Sequence, residues 1–393
     1  MFEIESNLDF LIKSDFTKGN NFLPYDKKII EFVDDFSKLL LKLNTKSLKD
    51  LKSLSFWCRK SNLEIQKKKI SKVHKILPKG IIFHITPSNI PTNFAYSLIF
   101  GLLTGNINIV KVPSKNFEQI EIICKTLNIL LKKYKYNFLK NNICILRYDL
   151  NNKITEYFSK NSQVRLIWGG EKTISEIKNI PSDQRTIDIL FSDRFSFSVI
   201  DLKKLDEISN TEFSLLVKNF YNDTYLVDQN GCSSPKLVIW LNYSSKMKKK
   251  FWYELNRLTL REYNSSTNIS IEKKTKLFKD IILMNEFKSY EIFSKNLYVI
   301  RIKKITKKIK KNSFKFGYFY EYQAKSLEEI EKIIDKDTQT LSYFGINKIN
   351  LLDLIMKKKL NGVDRIVPIG QTLNIDMFWD GYDLNSSLTR IIK

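Results

Sequence analysis

Histidine is almost missing from this chain: only His74 and His84 occur among 393 residues. A metal centre built on imidazole ligands is therefore not expected. Cysteine is also scarce. Cys58, Cys124, Cys144 and Cys232 lie far apart, with no CxxC pair. That spacing excludes a zinc ribbon and a disulfide scaffold, and it suits a reducing cytoplasm. The dinucleotide fingerprint GxGxxG is absent as well, so a plain Rossmann dehydrogenase is not supported. The first residues, MFEIESNLDF, are acidic and carry no basic leader. The longest apolar stretch, FAYSLIFGLLTG, has about half the ~20 residues that a membrane span requires. The expectation is a cytoplasmic protein with no integral membrane segment.

Positive charge is abundant. The net charge is +24, and 43% of residues are hydrophobic. Such a balance can signal nucleic acid. Here the lysines fall in short scattered runs, QKKKI, MKKKF and TKKIKKNSFK, while Asn and Ile are frequent throughout. This reads as a solvated surface, with no nucleic acid partner. A noncatalytic polyanion-binding protein is the alternative from a different class.

Apolar residues three and four apart in KKIIEFVDDFSKLLLKL mark a helical, lysine-rich beginning. From residue 80 onward the pattern alternates. IIFHI, INIVKVP, NNICILRY and QVRLIWGG read as strands, with helices at PTNFAYSLIFGLLTG, FEQIEIICKTLNILLKKY, KITEYFSK and EKTISEIKNI between and after them. Strands alternating with helices predict βαβ units and a parallel, doubly wound sheet. A second α/β block follows, with strands at KLVIW, LYVIRIKKI and FKFGYFYEYQ and a helix at SLEEIEKIIDK. His84, inside an apolar strand, reads as a core residue.

Cys232 stands in DQNGCSSP, among turn-forming residues where a structural cysteine would have bulky neighbours. A cysteine protease or thiol acyltransferase would need a base, most often histidine, and neither histidine is suitably placed. Thioester chemistry coupled to hydride transfer fits, because a cofactor then supplies the hard step.

PSNIPTNFAYSLIFGLLTGNINIVKVPSK resembles the cofactor-domain signature of the aldehyde dehydrogenase superfamily. Together with RLIWGGEKTI, RTIDILFSDRFSFSVID, FYNDTYLVDQNGCSSP and GVDRIVPIG, it is more closely similar to the LuxC-type fatty acyl-CoA reductases of bacterial luminescence operons. The resemblance covers roughly residues 75–385. It implies an aldehyde-dehydrogenase-like α/β fold. The implied division is a helical lead-in (1–75), a Rossmann-like cofactor domain (76–200), a catalytic domain with the cysteine (201–365) and a loop-rich tail (366–393).

The implied activity is NADPH-dependent reduction of a long-chain acyl-CoA or acyl-protein thioester to an aldehyde through acyl-Cys232. An aldehyde dehydrogenase working oxidatively is the alternative within the class. The resemblance also implies a homo-oligomer and an acyl-protein synthetase partner. Asn89 falls on the family's oxyanion asparagine, Lys111 on its adenosine-ribose lysine, and Gly169 and Gly170 on the glycines under the pyrophosphate. Where NAD-preferring relatives carry a glutamate, this chain has Ser114 and then Lys115. These accept a 2′-phosphate that a carboxylate would repel, which favours NADPH.

Two features depart from the superfamily. The glutamate base of oxidising relatives has no counterpart in LFSDRFSFSV, where Asp193 is the one carboxylate. The glutamate for the nicotinamide ribose would fall near Phe314, and Glu321 is displaced from that position.

Overall fold

The computed structural model describes residues 8–44, 48–70, 75–149 and 151–393. His74 lies outside them. The chain forms two compact units, residues 1–193 with 375–393, and residues 194–374.

The first unit is built on strands β1 (Asp9–Ile12), β3 (Ile81–Ile85), β4 (Ile107–Lys111), β5 (Ile143–Arg147), β6 (Val164–Trp168) and β7 (Ile187–Phe191). Their order in the sheet is β1-β5-β4-β3-β6-β7. All neighbours pair in parallel except β1, which runs antiparallel to β5. β3, β4, β5 and β6 are short runs rich in Ile and Val, buried along nearly their whole length. That is the pattern of strands covered on both faces. The covering helices follow the expected spans. Asn93–Leu103 is buried at every residue. Lys27–Leu43 turns Ile29, Ile30, Phe32, Val33, Phe36 and Leu40 inward, capped by Asp26 accepting from the Lys28 N–H. Each such side chain contributes about 1.5–3 kcal/mol on burial.

The beginning of the chain is not purely helical. β1 pairs with the outer side of β5, and covering a sheet edge in this way removes a row of open N–H and C=O groups. β2 (Lys75–Pro78) pairs antiparallel with the last strand, Thr389–Ile392.

The second unit carries a seven-stranded sheet. Its strands are β8 (Phe195–Asp201), β9 (Pro235–Leu241), β10 (Phe287–Ser294), β11 (Leu297–Ile302), β12 (Tyr318–Gln323), β13 (Thr338–Phe344) and β14 (Arg365–Pro368). The order is β10-β11-β12-β9-β8-β13-β14, parallel except for β10. The helix expected at SLEEIEKIIDK is a 3₁₀ segment, Leu327–Lys332. There the Glu329 carboxylate accepts from the Lys325 N–H at 2.8 Å and the Tyr322 hydroxyl at 2.8 Å, tightening the turn.

Candidate active site

In the first sheet the strand order reverses between β3 and β6. Ligands of such folds bind beyond the carboxyl ends of the strands at that reversal. Every candidate residue of this unit lies at those ends. Asn89 is exposed on the loop leaving β3, and Lys111 is the last residue of β4, with Ser114 and Lys115 just beyond it. Gly169 and Gly170 follow β6 and open the helix Glu171–Lys178.

Lys111 is not a lysine loose in solvent. Its ammonium stands 4.9 Å from the centre of the Tyr148 ring, and Tyr148 is buried and hydrogen-bonded to Thr155 at 3.0 Å. The Lys111 carbonyl accepts from the Thr86 hydroxyl at 2.8 Å. Burial lowers its pKa, and the charge of Asp149 partly offsets this. The cation is thus held in place before any ligand arrives. Ser114 Oγ donates to the Tyr148 carbonyl at 3.3 Å, so the same tyrosine organises both residues. Lys115 reaches over Phe117 at 5.2 Å. Asp149, the acidic neighbour of Lys111, escaped the sequence reading because it belongs to the next strand–loop connection.

Gly170 is the N-cap of its helix and makes no side-chain cap bond, so the first-turn N–H groups remain for another acceptor. A Cβ at Gly170 would stand 3.0 Å from the Asp193 carboxylate, and one at Gly169 would stand 3.2 Å from Thr173. A Cβ at either position would press on a neighbouring side chain, so small residues suit both. Lysine, open helix N–H groups and close backbone approach fit an anionic dinucleotide.

His84 is fully buried. Its Nδ1 meets Ser97 Oγ at 2.8 Å and its Nε2 meets Asn108 Oδ1 at 3.0 Å. The amide oxygen can only accept, so Nε2 carries the proton and Nδ1 accepts from Ser97. Burial pushes the imidazole pKa down to about 4, so it is neutral at pH 7. It is a satisfied core histidine.

Cys232 belongs to the second unit and lies between the helix Asn210–Tyr225 and β9. The helix begins with a Ser209–Glu212 capping box and gives way to two consecutive left-handed residues, Asp228 at φ 53° and Gln229 at φ 58°. Such conformations cost about 1–3 kcal/mol each and persist where surrounding contacts enforce them. Here the enforcing contacts are visible. Gln229 is fully buried, and its amide donates to the Pro235 carbonyl at 2.9 Å. Its side-chain oxygen accepts from the N–H groups of Gly317 at 3.0 Å and Tyr318 at 3.3 Å. The Ser234 N–H donates to the Gly231 carbonyl at 3.0 Å and closes a four-residue turn with Cys232 second. Ser196 on β8 donates its hydroxyl to the Cys232 carbonyl at 2.6 Å and accepts from the Thr340 N–H at 3.1 Å. The backbone of Cys232 is therefore fixed from two neighbouring strands.

The other three cysteines are buried, at 0% exposure for Cys58, 3% for Cys124 and 1% for Cys144. Burial raises the Cys58 thiol well above its ordinary value, Cys124 to about 12 and Cys144 to about 11. Such thiols are inert at neutral pH. Cys232 is the half-buried one.

Glu321 is occupied elsewhere. It is 3% exposed and accepts from Trp240 Nε1 at 2.9 Å, Trp252 Nε1 at 2.8 Å and Arg301 Nε at 2.8 Å. Phe314 packs edge-on against Tyr318.

A sequence model of the family described as acyl-CoA reductase (LuxC) matches residues 20–391. No curated protein sequence matches the chain. Several solved structures are similar. A salicylaldehyde dehydrogenase from Pseudomonas putida G7, complexed with salicylaldehyde, aligns at TM-score 0.66 and 12% identity over 96% of this chain and 86% of that one. A lactaldehyde dehydrogenase aligns at 0.64 and 11%, over 94% and 87%. A NAD-dependent benzaldehyde dehydrogenase from Corynebacterium glutamicum aligns at 0.58 and 10%, over 92% and 84%. At these identities the likeness establishes the fold, which is the aldehyde-dehydrogenase-like α/β architecture.

Proposed function

The chain belongs to the LuxC acyl-CoA reductase family, and from that premise we propose that it reduces a long-chain fatty acyl thioester to a fatty aldehyde, with Cys232 carrying the acyl group. The observation that carries the reading is the contrast among the cysteines. One is half-buried on a rigid turn, and three are buried with raised pKa values.

The Cys232 sulfur attacks the acyl carbonyl, the bond to the donor sulfur breaks, and the donor thiol leaves with the proton. NADPH, when bound, supplies a hydride to the acyl carbon. Lys111, Ser114 and Lys115 would hold its adenosine end, and the N–H groups at Gly170 its pyrophosphate. The Asn89 amide and the Cys232 N–H would donate to the oxygen that gains charge in both steps. Collapse of the tetrahedral intermediate breaks the carbon–sulfur bond, frees the aldehyde and returns the Cys232 thiolate. No residue in LFSDRFSFSV takes the place of a glutamate base: Asp193 is exposed and lies against Gly170. Without a base to activate water, the thioester survives long enough to be reduced. An acylated protein as donor, an acyl-protein synthetase as partner, a homo-oligomeric state and a cytoplasmic setting complete the proposal. No helix among the described residues is long and apolar enough to cross a membrane.

NADPH absorbance, followed with and without long-chain acyl-CoA, tests this reading. Consumption that requires the acyl donor is expected. Rapid NADP⁺ reduction by aldehyde with no acyl-CoA turnover would indicate the oxidative direction instead. Steeply salt-dependent DNA binding without turnover would indicate a polyanion binder.

Cofactor choice gives a separate prediction. Ser114→Glu places a carboxylate at the end of the β4 loop, where it would repel a 2′-phosphate and accept from a ribose hydroxyl. The ratio of kcat/KM for NADPH over NADH should fall by on the order of tenfold or more, the scale of one close charge contact. A wild-type enzyme that already prefers NADH would overturn the reading of Ser114 and Lys115.

A further inference from the structure

Asp223 lies two residues before the end of the helix that leads into the Cys232 turn, and it is 1% exposed. Its two oxygens accept from two backbone N–H groups of one loop, Gly370 at 2.6 Å and Thr372 at 3.1 Å. Arg365, at the start of β14, holds the same loop by its carbonyls. It donates to Thr372 at 2.9 Å, Gln371 at 3.3 Å and Asn374 at 2.8 Å. An anion thus takes the N–H groups and a cation takes the carbonyls. The approach is close enough to demand glycine, since Gly370 sits at φ 100° and a Cβ there would come 2.8 Å from Asn219. The far end of the loop lies beside the nucleophile turn. Leu373 Cδ2 lies 3.6 Å from the place a Cβ would take on Gly231, the residue before Cys232.

We propose that Asp223 and Arg365 are positioning residues that clamp residues 369–374 against the Cys232 turn and thereby set the rate at which Cys232 accepts an acyl group. The inference rests on the reading of Cys232 as nucleophile. A buried carboxylate is a poor choice for stability alone. Burial pushes the Asp223 pKa up to about 6, against the lowering effect of the two N–H bonds and of Arg365. Its stabilising contribution is therefore full below the ordinary carboxylate value of 3.8 and is lost as pH rises through about 6. At neutral pH the ionised group costs stability, yet it is the ionised form that accepts both N–H groups well. Arg365 on β14 is the charged group facing it; the loop itself contributes N–H groups. As pH falls through 6, protonation removes one acceptor site and loosens the clamp.

Asp223→Asn and Arg365→Lys in the full chain test this. Two quantities are read: hydrogen-exchange protection of residues 369–374, and the single-turnover rate of acylation by acyl-CoA across pH. Asp223→Asn should lower protection at neutral pH and slow acylation by about tenfold, the scale of one charge-assisted hydrogen bond. It should also erase the component of the pH profile near 6 and leave the melting temperature unchanged or higher. Arg365→Lys should lower protection and rate while keeping that component. Unchanged protection in Asp223→Asn would overturn the proposal, and so would lost protection with a wild-type rate and profile. If the wild type takes no acyl group, the functional reading has failed. The clamp is then read from alkylation of Cys232 by iodoacetamide at neutral pH. That rate must differ between wild type and Asp223→Asn, and equal rates overturn the clamp.

Discussion

Cys232→Ala is expected to abolish aldehyde formation, by on the order of 10⁴- to 10⁶-fold, the range for removal of a covalent nucleophile. No other thiol can take over, because Cys58, Cys124 and Cys144 are buried with raised pKa values. The fold should survive. Bonds through the Cys232 carbonyl, the Gln229 side chain and the Gly231–Ser234 closure shape the turn, and the substitution leaves these in place. Melting temperature should therefore stay near the wild-type value while turnover disappears. Aldehyde release and thermal melting on one preparation check both halves. Residual turnover above a few per cent would place the acyl group elsewhere.

Asn89→Ala has the second largest expected effect. The residue is exposed on the loop after β3, at the reversal of strand order. If its amide stabilises the oxyanion, the substitution should slow reduction about 10²- to 10³-fold, with NADPH affinity nearly unchanged. Activity should not vanish, because the Cys232 N–H remains. An asparagine that only shapes the turn before Pro91 would behave in the opposite way, with a lower melting temperature and a spared rate in folded enzyme. Single-turnover rate and melting temperature, measured together, separate the two. A folded Asn89→Ala enzyme with a wild-type rate would remove Asn89 from the mechanism.

Much of the fold was legible in local pattern. β3, β4, β5, β6 and β9 are short apolar runs bounded by turn residues, and each forms where its run lies. His84 was legible as core because apolar residues flank it. β1 was not. Four residues beside a long helical stretch carry little periodic signal, and what makes Asp9–Ile12 a strand is the open edge of β5, more than 130 positions away. β13 likewise takes its place between β8 and β14, which come from far apart in the chain.

The chemistry of the site divides in the same way. Cys232 announced itself through its small neighbours. The groups that hold it did not, because their partners are distant in sequence. Gln229 reaches Gly317 and Tyr318, Ser196 reaches Cys232 and Thr340, and Asp223 reaches Gly370 and Thr372. Glu321 could be counted as a displaced carboxylate from its position, but its role needed the two tryptophans and the arginine that surround it.

Mass spectrometry of the enzyme incubated with long-chain acyl-CoA in the absence of NADPH tests the central claim most directly. The expected result is a gain of one acyl group per chain, mapped by peptide analysis to Cys232 and discharged as aldehyde when NADPH is added. Absence of any adduct, or an adduct on Cys58, Cys124 or Cys144 that persists in Cys232→Ala, would contradict it.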